Sequence, residues 1–212
     1  MTETYQEVRT EVVESLRLVQ ERNYGGAEKA LQDGIDSGSA QGEELAVLYS
    51  TLGMIQKKQG KLQEAWNSYQ LAERTVEDDP VLKVLTSRFL LNELGRYDDA
   101  IKRAKLILKT AKDVPSLRHQ AYSIIGLAYL RKGQQRKAIE MLDKAMENHF
   151  MGMTSADNID FNLVEALVRE QIAVDKCQDY IRAACEFARS KREFKAMTVF
   201  QQILDSFEKT AV

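Results

Sequence analysis

Apolar residues recur at helical spacing in two stretches between His119 and Met146, and Gly133 separates the two stretches. The first stretch, HQAYSIIGLAYLR, places apolar residues about one helical turn apart, with the small Gly126 among them. The second stretch carries one apolar stripe, formed by Ala138, Ile139, Leu142, Ala145 and Met146. The pattern predicts two helices joined by a tight turn, and the small residues allow the helices to approach closely.

The same two-helix pattern recurs along the chain. An alanine stands near the start of each predicted second helix, at Ala27, Ala65, Ala100 and Ala138. Their residue numbers differ by 38, 35 and 38, and the turn glycines Gly60, Gly95 and Gly133 follow the same interval. One helix pair cannot bury its apolar face alone, so the repetition predicts pairs stacked on one another.

This arrangement resembles the tetratricopeptide repeat (TPR) family, whose unit is a helix–turn–helix of about 34 residues. The best match has Tyr122, Ile125, Gly126, Tyr129, Gly133, Ala138, Leu142 and Ala145 at the signature positions of the family. The next best has Tyr49, Leu52, Gly53, Gly60, Ala65, Tyr69 and Ala72. Two repeats depart from the pattern, with Glu11 and Glu14 in one and Ser87 and Arg88 in the other.

The resemblance implies an all-α fold, a right-handed α-solenoid of TPR-like repeats that ends in a degenerate C-terminal helical cap. Four repeats are expected in residues 1–150, at about 8–41, 46–79, 81–114 and 119–152, with the first and third degenerate. Residues 151–212 are expected to add helices continuous with the solenoid. There we predict a helix from Asp157 or Asn158 to Val174, followed by the pair Tyr180–Ser190 and Phe194–Phe207.

The resemblance also indicates which side chains of each first helix line the concave surface. They are Val12, Leu16 and Val19; Val47, Ser50, Met54 and Lys57; Leu82, Leu85, Phe89 and Asn92; and Gln120, Ser123, Leu127 and Leu130. The resulting groove is mostly apolar, so we expect an amphipathic helix of a partner protein as the ligand. Two alternatives stay open: a terminal helix of the chain closes the groove, or the register is shifted in the degenerate repeats.

One known ligand of the family is disfavoured by these positions. Members that bind the C-terminal carboxylates of chaperones use Lys, Asn and Arg there. This chain has Ser50, Met54, Leu85 and Phe89 instead, which supply no paired donors for a carboxylate.

Composition narrows the class of protein further. Two prolines and 44% hydrophobic residues favour an all-helical chain, and a net charge of −2 gives no electrostatic case for nucleic acid. The longest apolar run, Ile124 to Leu130, is far short of the ~20 residues of a membrane span, so no membrane insertion is expected. The charged N-terminal sequence lacks the apolar segment of a signal peptide, so we expect a cytoplasmic protein.

Charged residues segregate between the two kinds of connection. The turns within helix pairs carry a basic rim of Lys57, Lys58, Lys61, Arg131, Lys132, Arg136 and Lys137, and Lys191, Arg192 and Lys195 continue this pattern. The loops between pairs are acidic. One interpretation is complementarity to the helix dipoles, and the other is attraction of an acidic partner along the basic rim.

No catalytic or metal-binding set of residues is evident, and no cofactor is expected. His119 and His149 lack a nearby acid or cysteine at ligand spacing and are interpreted as solvated or partly buried. Cys177 and Cys185 are too few for a disulfide scaffold, and Cys185 suits a helix core. We therefore expect a non-enzymatic module, an adaptor or chaperone, that binds another protein or peptide; the alternative is a structural scaffold that self-assembles into homo-oligomers by repeat stacking.

Overall fold

The computed structural model describes residues 9–210, apart from the side chains of Asn148 and of residues 206–210. Val8 at the start of the first predicted repeat and the side chain of Phe207 lie outside the described residues. The secondary structure of residues 9–210 is entirely helical. The α-helices are α1 (Thr10–Gln20), α2 (Tyr24–Asp36), α3 (Gly42–Lys58), α4 (Leu62–Thr75), α5 (Pro80–Asn92), α6 (Tyr97–Thr110), α7 (Pro115–Arg131), α8 (Gln135–Ala145), α9 (Asn162–Arg169), α10 (Val174–Ser190) and α11 (Phe194–Thr210).

The chain divides into two compact units, one reaching to Leu82 and the other beginning at Lys83. Unit 1 contains the hairpins α1–α2 and α3–α4, and the boundary between the units falls within α5. Unit 2 contains α6 to α11 and two 3₁₀ turns, Glu147–Phe150 and Ala156–Asn158. The boundary predicted from sequence at residue 150 stays a prediction.

One turn geometry ends the first helix of each hairpin. A residue with positive φ stands in every such turn, at Arg22, Gly60, Gly95, Gly133, Gln171 and Arg192. In five of the six, the next residue donates its N–H to the carbonyl five residues back, as Gln134 does to Tyr129 at 2.9 Å. This is the Schellman arrangement, which satisfies carbonyls that the helix end leaves open. Only three of these residues are glycine, so at Arg22, Gln171 and Arg192 the residue type does not mark the turn.

The small residues at the helix crossings are fully enclosed. Ala27, Ala65, Ala100 and Ala138 have no exposed surface, as expected of small residues where two helices cross. In the core of unit 1, Ala27 packs with Val12, Leu31, Leu48 and others. Since any larger side chain at these positions would meet a neighbouring helix, the alanines set the distance at which paired helices pack.

One of the two departures in the first repeat, Glu11, has a packing explanation. Glu11 occupies a position where an apolar residue was expected, and its carboxylate pairs with Arg9 at 2.8 Å. A Cβ on Gly34 would lie 2.9 Å from Cγ of Glu11, so the absence of a side chain at Gly34 makes room for the longer residue. The repeat keeps its helix pair with a glycine–glutamate contact in place of an apolar one.

Helix α5 begins at a proline that is preceded by a capping aspartate. Pro80 is its first residue, and Oδ1 of Asp79 accepts hydrogen bonds from the backbone N–H groups of Val81 at 2.7 Å and Leu82 at 3.1 Å. Proline needs no N–H partner at this position, and the aspartate satisfies the donors that follow. Asp79 is therefore the N-cap.

The region after α8 differs from the prediction in where its helices begin and end. The helix predicted from Asp157 or Asn158 to Val174 is the eight-residue α9, because residues 156–158 form a 3₁₀ turn and Gln171 ends the helix with a positive φ. Helix α10 begins at Val174 and is therefore longer than expected. The start of α9 is fixed by Asp160, whose Oδ1 accepts from the backbone N–H of Asn162 at 2.8 Å.

The turn between α10 and α11 lies near the start of α7. Glu193, in the α10–α11 turn, accepts hydrogen bonds from Ala156 N–H at 2.7 Å and from the Ser155 hydroxyl at 3.1 Å. The nearby Asp160 bonds to His119 at the start of α7, whereas the α7–α8 turn lies at the other end of that helix. The basic residues of the last turn, Lys191, Arg192 and Lys195, therefore do not continue the α7–α8 edge as expected.

We predict that Gly126→Val lowers the free energy of unfolding by about 1–3 kcal/mol, since overpacking a core costs this much. A Cβ on Gly126 would lie 2.4 Å from Leu163 Cδ2 and 3.0 Å from Met141 Cβ. The control is Gly25→Ala. A Cβ on Gly25 meets nothing within 4 Å, and alanine has a higher helix propensity than glycine. Urea denaturation followed by circular dichroism compares them, and equal stability of the two variants would contradict the packing of α9 on α7.

Candidate functional site

The predicted concave positions in unit 1 include two exposed apolar side chains. Helices α1 and α3 lie in contact, and Leu16 on α1 and Val47 on α3 are 42% and 45% exposed. The other predicted positions on these helices, Val19, Ser50 and Met54, are half-buried, while Val12 is buried in the core and Lys57 is exposed. Val13 on α1, which the residue pattern did not place on the concave surface, is also exposed, so that α1 and α3 together carry three exposed apolar residues. We call Leu16, Val19, Val47, Ser50 and Met54 the unit 1 face.

Opposite charges stand at the two ends of α3, along which half of this face runs. Glu43 and Glu44 lie in its first turn, and Lys57 and Lys58 lie in its last turn. This order complements the helix dipole, positive at the N-terminus and negative at the C-terminus. Glu44 also binds Arg9 at 3.0 Å, which ties the acidic end of α3 to the segment preceding α1. The unit 1 face is mostly apolar, and on α3 it runs from an acidic end to a basic end.

The remaining predicted positions are mostly enclosed. Leu85 is half-buried and Asn92 is exposed, whereas Leu82, Phe89, Ser123, Leu127 and Leu130 are buried. Helix α7 is in contact with α9, and Leu163 of α9 packs against Gly126 of α7. The positions Ser123, Leu127 and Leu130 thus lie in the interior of unit 2 rather than on its surface. The partner-binding role of the exposed positions stays a prediction.

Several residues of the basic rim join neighbouring hairpins. Lys61 binds Glu28 at 2.8 Å, which raises the pKa of Lys61, and Lys132 binds Asp98. The lysine of each pair stands 33 or 34 residues beyond its acidic partner, and Lys176 is related to Asp143 in the same way. Partly exposed pairs contribute little stability each. Their recurrence at one repeat length shows that part of the charge pattern serves contacts between hairpins.

The other predicted rim residues lie at the surface. Lys57, Lys58, Arg131, Arg136 and Lys137 are exposed. Lys137 bonds to Gln134 at 3.0 Å, and its ammonium lies 5.2 Å from the centre of the Tyr129 ring. The aromatic ring holds this cation close to the turn. Attraction of an acidic partner by the rim stays a prediction.

A buried polar network in unit 2 is centred on His119. This side chain is 3% exposed, in contrast to the solvated or partly buried position expected, while His149 is exposed. Nδ1 of His119 lies 2.9 Å from the carbonyl of Ala145, and the backbone N–H of Asp160 donates to Nε2 at 2.8 Å. The Tyr180 hydroxyl donates to the carbonyl of Asp160 at 2.7 Å. The ring thereby connects α7, the end of α8, the loop before α9 and α10.

An ion pair extends this network to α5. Nη2 of Arg88 lies 2.6 Å from Oδ2 of Asp160, whose side chain is only 4% exposed, and 3.4 Å from Oε1 of Gln120. The other carboxylate oxygen accepts from the backbone and side-chain amides of Asn162. Arg88 was noted in the sequence as a departure from the repeat pattern. The structure explains the departure, because Arg88 neutralises a buried carboxylate 72 residues away.

These residues border a polar cavity of about 360 Å³ in unit 2. Arg88, Gln120 and the segment from Asp157 to Asn162 form most of its wall. Its volume is within the range of small-ligand sites, but such sites are predominantly apolar, and this wall is not. No sequence motif marks the cavity, because its wall joins residues from α5, α7 and the loop before α9.

The two cysteines are free thiols inside unit 2. Burial raises the pKa of Cys177 to about 11, and burial also raises the pKa of Cys185. Both are therefore thiols rather than reactive thiolates at neutral pH. Among the described residues, no three His, Cys, Asp or Glu side chains converge as metal ligands, and no helix of that part of the chain is long and apolar enough to cross a bilayer.

Comparison with solved structures identifies the fold. MamA from Desulfovibrio magneticus RS-1, residues 41 to the end, aligns with a TM-score of 0.56 and 16% identity over 87% of this chain and 98% of its own. PilF from Pseudomonas aeruginosa aligns with a TM-score of 0.60 and 14% identity over 92% and 89%. YrrB, described as a TPR protein with an unusual peptide-binding site, aligns with a TM-score of 0.54 and 23% identity over 74% and 71%.

No protein-family model and no curated protein sequence matches this chain. The structural similarity nevertheless establishes that the chain has the tetratricopeptide-repeat fold, an all-helical repeat fold, as the residue pattern indicated. The sequence identities are low, so the similarity concerns the fold alone.

We predict that Asp160→Ala lowers the free energy of unfolding by about 3 kcal/mol, because it leaves Arg88 without its partner and removes the acceptor for Asn162 N–H. The matched control is Asp157→Ala, in the same loop but exposed, for which we expect a change within about 0.5 kcal/mol. Urea unfolding monitored by intrinsic fluorescence measures both. An equally large loss of stability in the Asp157 variant would show that the hydrogen bonds and ion pair of Asp160 do not stabilise the fold more than an exposed residue of the same loop does.

Proposed function

We propose that this protein is a non-enzymatic protein-binding module, an adaptor or chaperone, that holds an amphipathic helix of its partner on the unit 1 face. The observation that carries the proposal is the exposure of Leu16 and Val47 at positions that the repeat pattern assigns to the concave surface. Apolar side chains clustered on a surface favour a site of protein interaction. Val19 and Met54, which are half-buried against the core of unit 1, lie about one helical turn beyond Leu16 and two turns beyond Val47.

The charges at the ends of α3 define the partner helix more closely. A helix that lies along α3 would place basic residues beside Glu43 and Glu44 and acidic residues beside Lys57 and Lys58. Apolar anchors at i, i+3 or i+4, and i+7 would contact the unit 1 face between these ends. YrrB, which shares the fold, is described as having a peptide-binding site, and this supports a peptide segment as the ligand.

A labelled 20-residue amphipathic helix with a basic end and an acidic end tests the proposal by fluorescence anisotropy. Leu16→Asp and Val47→Asp should each weaken binding about tenfold or more, since each places a charge in the apolar contact. The matched control is Leu71→Asp, because Leu71 on α4 is similarly exposed, at 39%, but lies on a second helix. Its binding should stay within about twofold of the unmodified protein.

Peptides with altered charges complete this experiment. A peptide with the charges of its two ends exchanged should bind more weakly in low salt, and the difference should shrink as salt screens it. Circular dichroism confirms that each variant keeps its helices. Absent binding, or equal weakening by all three aspartate substitutions, would reject the unit 1 face as the binding site.

A second candidate function is self-assembly into a structural scaffold. Phe194 and Val199 on α11 are 61% and 51% exposed, and such residues on a terminal repeat favour stacking between copies. Light scattering over a range of protein concentrations separates the two functions. A mass that rises with concentration and falls back to the monomer in Phe194→Asp would favour the scaffold, and a constant monomer mass would exclude it.

A further inference from the structure

We propose that His119 is a proton-operated latch that holds the loop before α9, together with α9 and α10, against α7 and releases them on mild acidification. The proposal concerns unit 2 and is independent of the peptide site proposed in unit 1. It rests on the hydrogen-bonding groups that surround the imidazole and on the packing that depends on them.

The two backbone groups that contact His119 define its protonation state. The carbonyl of Ala145 can only accept, so Nδ1 must carry a hydrogen and donate to it at 2.9 Å. The N–H of Asp160 can only donate, so Nε2 must present a lone pair, and the distance is 2.8 Å. Only the neutral ring with its hydrogen on Nδ1 satisfies both contacts. Protonation of Nε2 would place two N–H groups against each other.

Charged groups around the ring do not reverse this preference. Asp160 favours the imidazolium and Arg88 disfavours it, and these two groups pair with each other at 2.6 Å. Arg118 pairs with Glu147, and Lys144 pairs with Glu140. The Tyr180 hydroxyl lies 3.3 Å from Nε2 of His119 and donates its hydrogen to the carbonyl of Asp160. On the remaining side, the rings of Phe150 and His119 are 5.5 Å apart between their centres. Burial is the largest effect, and it lowers the pKa of His119 below its usual value of 6.5.

The consequence for stability follows from the direction of this shift. The unfolded chain takes up the proton near the ordinary pKa of 6.5, before the folded chain does. The stabilisation by neutral His119 is therefore complete above that pH and declines as the pH falls below it. The elements released first are those that the ring connects, namely the loop at Asp160, α9 and α10. Their release would uncover the contact of Leu163 with Gly126 and open one wall of the polar cavity.

Hydrogen exchange in the full chain tests the latch directly. Exchange rates are measured by mass spectrometry at about pH 7.5 and pH 5, and each is corrected for intrinsic exchange. Peptides from residues 156–168 and 174–190 should exchange about tenfold faster at the lower pH, whereas peptides from α3 and α4 should not change. His149→Gln, which removes the exposed histidine, should keep this response.

Two further measurements keep the test decisive. NMR titration of the unmodified protein should show His119 titrating below the ordinary imidazole value of 6.5, and His119→Gln should abolish the dependence of exchange on pH. If His119→Gln does not fold, the titration and the exchange of the unmodified protein still decide the question. The latch is rejected if His119 titrates at or above 6.5, if exchange does not respond to pH, or if α3 and α4 are released equally.

Discussion

Close approach of paired helices is the constraint on which the hairpins of this protein depend. Two helices reach packing distance only where the side chains between them are small, and Ala27, Ala65, Ala100 and Ala138 meet this condition with no exposed surface. Gly53 and Gly126 serve the same purpose on first helices, where a Cβ would strike Tyr69 or Leu163. The larger apolar residues then fill the space that these contacts leave, as Leu31, Leu48 and Ile55 do in unit 1.

The extent to which the sequence predicted the structure follows from the range of the interactions involved. Helices, their turns and their pairing depend on residues within one repeat, so alanine and glycine spacing was sufficient to identify them. Arg22, Gln171 and Arg192 adopt positive φ without being glycine, the residue type that usually marks it. The turns near Arg22 and Arg192 were still expected between predicted helices, whereas the turn at Gln171 was not. Early termination of α9 at one of these turns is the reason its predicted end at Val174 was wrong.

The polar network of unit 2 lay beyond sequence reasoning for a different reason. Arg88 looked like a defect of the third repeat and His119 like an ordinary helix-end residue, because their partners are 72 and 41 residues away. Burial brings together groups that satisfy one another only in this arrangement. Such a network contributes little net free energy of folding. Its main effect is to fix the positions of α5, α7 and α10, because each member is bonded to the others.

The ion pairs between hairpins have a kinetic consequence. Lys61 and Glu28, Lys132 and Asp98, and Lys176 and Asp143 are each separated by a single repeat length, so each pair closes a short loop. Contacts of this kind give low contact order, and neighbouring hairpins can therefore assemble rapidly and in any order. The bonds from Asp160 to Arg88 and from Tyr180 to His119 enclose longer loops of chain. Loop-closure entropy therefore opposes these two contacts more than it opposes the ion pairs between neighbouring hairpins.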